Sequence, residues 1–492
     1  MCFSFNAIRL IYNNYFTKGF QKIQMINCPN CKQQLDIAGW CKICDEYYYG
    51  DCPICKKKRT GELWCQHCEA RAYRKNFEKW TSENEYMDSL IQQSQLDAKA
   101  NYQVWEWIPY TQFTNIRYLG KGGFSTVMLA TWLDGPRDIF NRDTQSVERR
   151  SNEEVILKIL HQSQNINTEF LKELRSNYAC RLAGVGWILG ITKEPTTNEF
   201  VMVIRYYEKG DFRKFLKQNV ENLTWREKLL MLHYVANALV EIHEAGFIHR
   251  DLHPGNIYQR YNTRYNVHVS YVGDLGLCMP ADESPKSSKR YGVIPYIAPE
   301  ILRGGAYTDK SDIYSFGIIM AELASGNAPF SNLKHDYYLV LDILKGVRPE
   351  FPDETPKCYV DLMKRCWDGD PSNRPTAKTL LSELSKWMKF YKPESLPLKA
   401  LHSELSVQNE LDNECNQFYE ADVSHHNLPN YNFSKELYKS KDITTLVENV
   451  KSNNFGLCEA NNLQENRSND ELWVSTDITH FSNDNLEYPD TI

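Results

Sequence analysis

Apolar positions recur densely between residues 108 and 391, and their spacing changes part-way along. Over 113–132, 155–160 and 200–207 the apolar residues come in short runs bounded by turn formers, which predicts strands. Over 225–245 and 312–325 they recur every three to four residues, which predicts long helices with one face or more turned to a core. Strands first and helices afterwards predict an α+β protein of two lobes. Before this domain, residues 69–107 are charged and poor in Gly and Pro, with spacing suited to a helical connector. After it, residues 392–492 are rich in Asn, Ser, Asp and Glu and offer few apolar clusters, so they predict a tail that stays disordered or orders only against a partner. Residues 1–27 hold Arg9, Lys18 and Lys22 and no acid; with a single arginine and no small-residue cleavage site they read as a floppy or non-native leader.

Composition narrows the class. The chain has 492 residues, 42% of them hydrophobic, and a net charge of −6. That balance gives no whole-chain attraction to nucleic acid or to an acidic surface. No apolar run approaches the ~18 residues of a spanning helix, so no membrane span is expected. Cytoplasmic residence, with the nucleus as an alternative, is the matching expectation, and in a reduced compartment the sequon at Asn466 is accidental.

Eight of the fifteen cysteines lie between Cys28 and Cys68, all in Cys-x-x-Cys pairs: Cys28/Cys31, Cys41/Cys44, Cys52/Cys55 and Cys65/Cys68. Without a secretory signal such pairing points to metal rather than disulfides. Each pair presents two thiolates to one ion, and two pairs complete a tetrahedral zinc site. The near-repeat of Pro29 and Trp40 in Pro53 and Trp64 favours sequential pairing, giving two Zn²⁺ ribbons over 28–68. Iron–sulfur ligation is the less natural alternative at this spacing. His67 reads as a bystander. The basic run Lys56-Lys57-Lys58-Arg59 could meet an acidic partner, but no aromatic platform is interleaved with it, so nucleic acid is not the expected ligand.

Within the large domain, Gly120-Lys121-Gly122-Gly123-Phe124-Ser125-Thr126-Val127 lies between two strand-like runs, where glycines let backbone N–H groups close over phosphates. A ligand-free glycine hairpin would look the same. Lys158 is the one charge in the apolar strand Val155-Ile156-Leu157-Lys158, and burying it requires a counter-charge. Glu173 supplies it in preference to Glu169, because it falls in the apolar frame of Phe170, Leu171 and Leu174. In His249-Arg250-Asp251-Leu252-His253-Pro254-Gly255-Asn256 an Asp and an Asn five residues apart can face one cavity, the first accepting a hydroxyl proton and the second binding a metal ion. Asp274, in Gly273-Asp274-Leu275-Gly276, offers a further carboxylate for Mg²⁺. Glu300 follows 26 residues later and has a candidate ion-pair partner in Arg374.

Glycine-rich loop, strand lysine, helix glutamate, HRD-x4-N, DLG and APE stand here in the order and spacing of protein kinases, and the sequence resembles the tyrosine-kinase-like group of serine/threonine kinases. The resemblance covers about 280 residues, including Asp312-Ile313-Tyr314-Ser315-Phe316-Gly317, which looks like that family's central C-lobe helix. It implies a bilobal kinase fold, ATP and Mg²⁺ as cofactors, and protein hydroxyls as substrates in signalling. Lys158, paired to Glu173, would hold the α- and β-phosphates; Asp251 would orient and deprotonate the acceptor; Asn256 and Asp274 would bind Mg²⁺. Ile204 would be the gatekeeper, and Tyr206 and Tyr207 would present hinge backbone to adenine.

Three departures from the family pattern stand out, the third made by two positions together. Ser125 replaces the third glycine of the loop, and Leu275 replaces the phenylalanine of DFG. His253 and Val293 stand where serine/threonine kinases place a lysine and a threonine, yet the tyrosine-kinase loop is lacking too, so serine/threonine specificity is preferred. His253 would supply only part-time positive charge. Arg250 beside Asp251 suggests control by a phosphate on Ser284, Ser287 or Ser288. Two other functional classes fit parts of the chain: an inactive pseudokinase scaffold, and a zinc-ribbon nucleic-acid or partner-binding protein with a kinase appendage. The intact Lys158, Asp251, Asn256 and Asp274 argue against the first.

Overall fold

The computed structural model describes residues 40–41, 46–47, 49–61, 64–121, 125–141, 146–160, 168–181, 184–262, 267–280, 290–390, 414, 416–418, 420–422 and 437–452. The N-terminal lobe is a six-stranded sheet. Its strands are β1 (Glu106–Trp107), β2 (Phe113–Lys121), β3 (Ser125–Trp132), β4 (Glu153–Leu160), β5 (Ile188–Lys193) and β6 (Phe200–Arg205), in the order β1-β5-β6-β4-β3-β2. β2 through β4 and β6 run antiparallel to their neighbours, whereas β1 pairs parallel with β5. Glu106 lies opposite Gly190. A Cβ on Gly190 would come within 2.2 Å of the Glu106 carbonyl oxygen, so only glycine permits this approach.

This strand changes the expected domain boundary. Residues 69–107 do not form a free connector. Helices Gln66–Arg74 and Glu85–Asp97 lie against the lobe, and the chain then enters its sheet at β1. Met87 and Ile91 of the second helix are buried with Trp105, Ile191, Phe200, Met202 and Leu174.

The C-terminal lobe is helical, as the apolar periodicity requires. Trp225–Glu244 starts at a capping box made by Thr224 and Glu227, and most of its residues are buried. Asp309–Ser325 is apolar nearly all round and sits inside the lobe, ending at Gly326 in the left-handed conformation. Both helices belong to one large core with Trp367, Leu380 and Trp387. Among the described residues no helix is long and apolar enough to cross a membrane.

The tail departs from expectation. Phe418 and Ala421 are buried in the same core, as are Tyr438, Ile443, Val447 and Val450. Two pieces of residues 392–492 therefore fold onto the C-terminal lobe, against the reading of a tail without structure. The physical reason is that a few isolated apolar side chains find pockets in an existing core instead of building their own.

Candidate active site

β4 carries Lys158 into the middle of the N-terminal sheet, opposite Val127 of β3 and Met202 of β6. Its neighbours in sequence, Leu157 and Val155, are buried on the other face of the strand. Helix Thr168–Ala179 runs behind the sheet and anchors itself through Leu174, which is 0% exposed. Glu173 is thereby brought to Lys158, with Nζ to Oε1 at 2.6 Å, and Asp274 Oδ1 lies 3.1 Å from the same ammonium. Burial would lower the lysine pKa, but the carboxylates of Asp274 and Glu173 outweigh it and hold the value above the ordinary range. Lys158 depresses the Asp274 carboxyl in turn, against the effect of burial. Burial leaves Glu173 above its usual value although Lys158 pulls it down. Of these two carboxylates, Asp274 is the one whose ionised form its neighbours favour, and its side chain retains 44% exposure.

Asp274 occupies the left-handed region at φ 57° and Arg250 at φ 71°, a conformation costly for non-glycine residues and held only where neighbours enforce it. Asp312 enforces the second. Its buried carboxylate accepts the backbone N–H groups of His249 and Arg250 at 2.8 and 2.9 Å, and His243 Nε2 lies 2.9 Å away. His249 ties the two loops together, since Nδ1 accepts from the Asp251 N–H and Nε2 donates to the Gly273 carbonyl. Sequence reasoning found neither role. The signal available was a histidine directly before Arg250 and an acid near the start of an otherwise apolar helix.

Asp251 is nearly buried, and Asn256 Nδ2 donates to its carbonyl at 2.9 Å. The amide oxygen of Asn256 is then the atom left for a cation. His253 lies 3.6 Å from Asp251 Oδ2 and accepts from the Gly255 N–H at Nδ1, which puts its proton on Nε2, facing the carboxylate. Burial pushes the His253 pKa down despite Asp251, so the ring is neutral at physiological pH.

Gly120 and Lys121 of β2 pair with Val127 and Thr126 of β3 beyond Ser125, forming the stem of the glycine-rich loop. The loop residues Gly122, Gly123 and Phe124 lie outside the described residues. Ile204 is half-buried at the end of β6, followed by Tyr206 and by Tyr207, whose ring stacks on Tyr258 at 5.5 Å. Tyr207 thus faces the C-terminal core. Arg374 and Glu300 form a two-pronged ion pair at 2.8 and 2.7 Å, as the spacing anticipated. Of the candidate phosphosites, Ser284, Ser287 and Ser288 lie outside the described residues.

The sequence profile described as protein tyrosine and serine/threonine kinase matches residues 113–384, more than half of the chain. This chain belongs to that family. The kinase domain is similar to roco7 of Dictyostelium discoideum, a probable serine/threonine-protein kinase, at 29% identity over 58% of this chain and 10% of that protein. A second probable serine/threonine-protein kinase of the same organism is 30% identical over 38% of this chain and 13% of its own length. Its probable serine/threonine-protein kinase gdt2 is 27% identical over 61% and 18%. The chain therefore spans less than a fifth of the length of these relatives, and the likeness is that of the kinase domain.

A separate cluster lies at the N-terminal end. The sulfurs of Cys52, Cys55, Cys65 and Cys68 all fall within 4.8 Å of one another, a donor set suited to Zn²⁺. His67 faces Lys57 and Arg71, outside this set. Trp64 is buried beside the cluster and donates to the Ala98 carbonyl at 3.0 Å, while Arg137 reaches Glu69 at 2.9 Å. Of the first predicted ribbon, Cys28, Cys31 and Cys44 lie outside the described residues, and Cys41 is described only as part of a two-residue strand.

Proposed function

We propose that this chain is an active protein kinase that transfers the γ-phosphoryl group of ATP to protein hydroxyls, with serine and threonine preferred. The observation that carries this reading is the convergence of Lys158, Glu173 and Asp274 at 2.6 and 3.1 Å, beside the loop that holds Asp251 and Asn256. Lys158 would neutralise and orient the α- and β-phosphates, because its charge is fixed by two carboxylates. Asp274 and the amide oxygen of Asn256 would hold Mg²⁺, which supplies charge neutralisation on the phosphates. Asp251 would accept the hydroxyl proton. Phosphoryl transfer depends mainly on positioning and electrostatics, and each of these groups is already set by its neighbours. The four-cysteine cluster would be a structural zinc site. The kinase would act in signalling within the cytoplasm or nucleus, with the cysteine module and the tail as surfaces for a protein partner.

The test compares the full chain with Asp251→Asn in Mg²⁺-dependent phosphorylation of itself and of dephosphorylated casein. The proposal expects a loss of about 10²–10⁴-fold on removing the base. Equal rates in the two proteins would refute catalysis and favour a scaffold.

A further inference from the structure

Residues 437–452 do not simply extend the C-terminal lobe. Lys441–Asp442 form an antiparallel pair with Tyr291–Gly292, the strand that leads into the Ala298-Pro299-Glu300 turn. The pairing continues through Ile443 N–H to the Arg290 carbonyl at 2.8 Å and Arg290 N–H to Thr444 Oγ1 at 2.9 Å. Upstream, Tyr438 is buried, donating its hydroxyl to the Pro329 carbonyl at 2.7 Å and accepting from Arg213 at its own carbonyl at 2.9 Å. His335 holds the Leu437 carbonyl, and Lys441 Nζ donates to the His335 carbonyl at 2.9 Å. Downstream, helix Thr444–Ser452 buries Val447 and Val450 beside Pro299–Leu302.

The edge so occupied borders the catalytic base. A Cβ on Gly292 would lie 3.8 Å from Asp251 Oδ1. A short strand with free backbone donors and acceptors takes an added extended segment by main-chain hydrogen bonding, with flanking pockets for alternate side chains. A segment lying along this edge would carry a hydroxyl close to Asp251.

We propose that residues 437–452 act as a competing ligand in cis, occupying the Arg290–Gly292 edge along which an extended protein substrate would lie. The inference rests on the kinase reading above. The preferred segment has an aromatic side chain entering the Arg213, Pro329 and His335 pocket, then two linking residues and two strand residues, then an apolar residue in place of Ile443. Because the occupant is tethered, it competes at high effective concentration and a free substrate must displace it.

The experiment uses the full chain and the variant Tyr438→Ala/Ile443→Asp, with dephosphorylated casein as acceptor. Release of the edge lowers KM for casein at least fivefold while KM for ATP stays unchanged, and a synthetic peptide of residues 434–454 added to the variant raises KM for casein again. An unchanged KM for casein overturns the proposal, as does a fall in kcat that the peptide does not reverse. Should the double variant fail to fold, Thr444→Val, which removes one bond to Arg290, carries the same comparison on a smaller scale. Should neither chain phosphorylate anything, the kinase reading fails. Fluorescence anisotropy of the labelled peptide on the variant then decides the docking separately, saturable binding supporting it and none refuting it.

Discussion

Lys158 Nζ lies 2.6 Å from Glu173 Oε1, so a strand in the middle of the sheet and a helix behind it are joined by one charge pair. Lys158→Met removes the cation aimed at the phosphates and is expected to lower kcat/KM by about 10²–10³-fold, the usual cost of losing one positioned charge donor. Glu173→Gln keeps Lys158 beside Asp274 and is expected to cost roughly tenfold, as for one hydrogen bond to a charged group. Steady-state kinetics on both variants check the order; an equal loss in the two would mean that Asp274 alone cannot hold the lysine.

His253 is buried and neutral beside Asp251. His253→Gln is expected to keep kcat within about tenfold, because it removes one hydrogen-bonding group and no charge. The kcat profile above pH 6.5 should also keep its shape. A loss as large as that of Asp251→Asn would show that the ring serves as more than a neighbour.

Two buried groups on helix Trp225–Glu244 pull stability in opposite directions with pH. Burial raises Glu241 from 4.5 to about 7 and lowers His233 from 6.5 to about 4. Glu241 binds its proton more tightly in the folded state, so its contribution is complete below pH 4.5 and is lost as pH rises through about 7. His233 behaves inversely, contributing fully above pH 6.5 and losing that contribution as pH falls toward about 4. The wild type is therefore expected to show little net slope from these two between pH 4.5 and 6.5. Glu241→Gln should gain up to about 3 kcal/mol relative to wild type between pH 4.5 and 7.5. His233→Gln should gain relative to wild type as pH falls. Denaturant unfolding across this range measures both.

The four sulfurs around Cys52 are expected to hold one zinc ion, and the full chain two if the pairs at 28–44 form the second site. Metal analysis by plasma mass spectrometry should show Cys52→Ser/Cys65→Ser losing one ion. Because Trp64 is packed beside the cluster, chelation should also change its fluorescence. Two ions retained in the double variant would sink the assignment.

Two ion pairs of the candidate site were legible because their members are charged residues in an apolar or turn-forming setting. Lys158 in its strand and Glu173 in its helical frame could be paired before any coordinates, and Glu300 could be matched to Arg374. What could not be read was coupling between distant segments. The Glu106–Trp107 strand is too short to show a period, and it joins the sheet only because Gly190 admits the Glu106 carbonyl. Phe418, Tyr438, Ile443 and Val447 are dispersed among polar residues, so local hydrophobicity stays low while each fills a pocket made elsewhere. His249 works through both ring nitrogens on two loops, which no spacing rule reports.

Met87 and Ile91 press on the same cluster as Leu174, the residue next to Glu173, while Tyr178 reaches back to Asp97 at 3.0 Å. The helix that carries Glu173 is thus braced from behind by residues that precede the matched kinase region in the same chain. Loosening the Glu85–Asp97 helix would free the Glu173 helix on that side, so the Lys158–Glu173 spacing depends on residues far upstream of either partner.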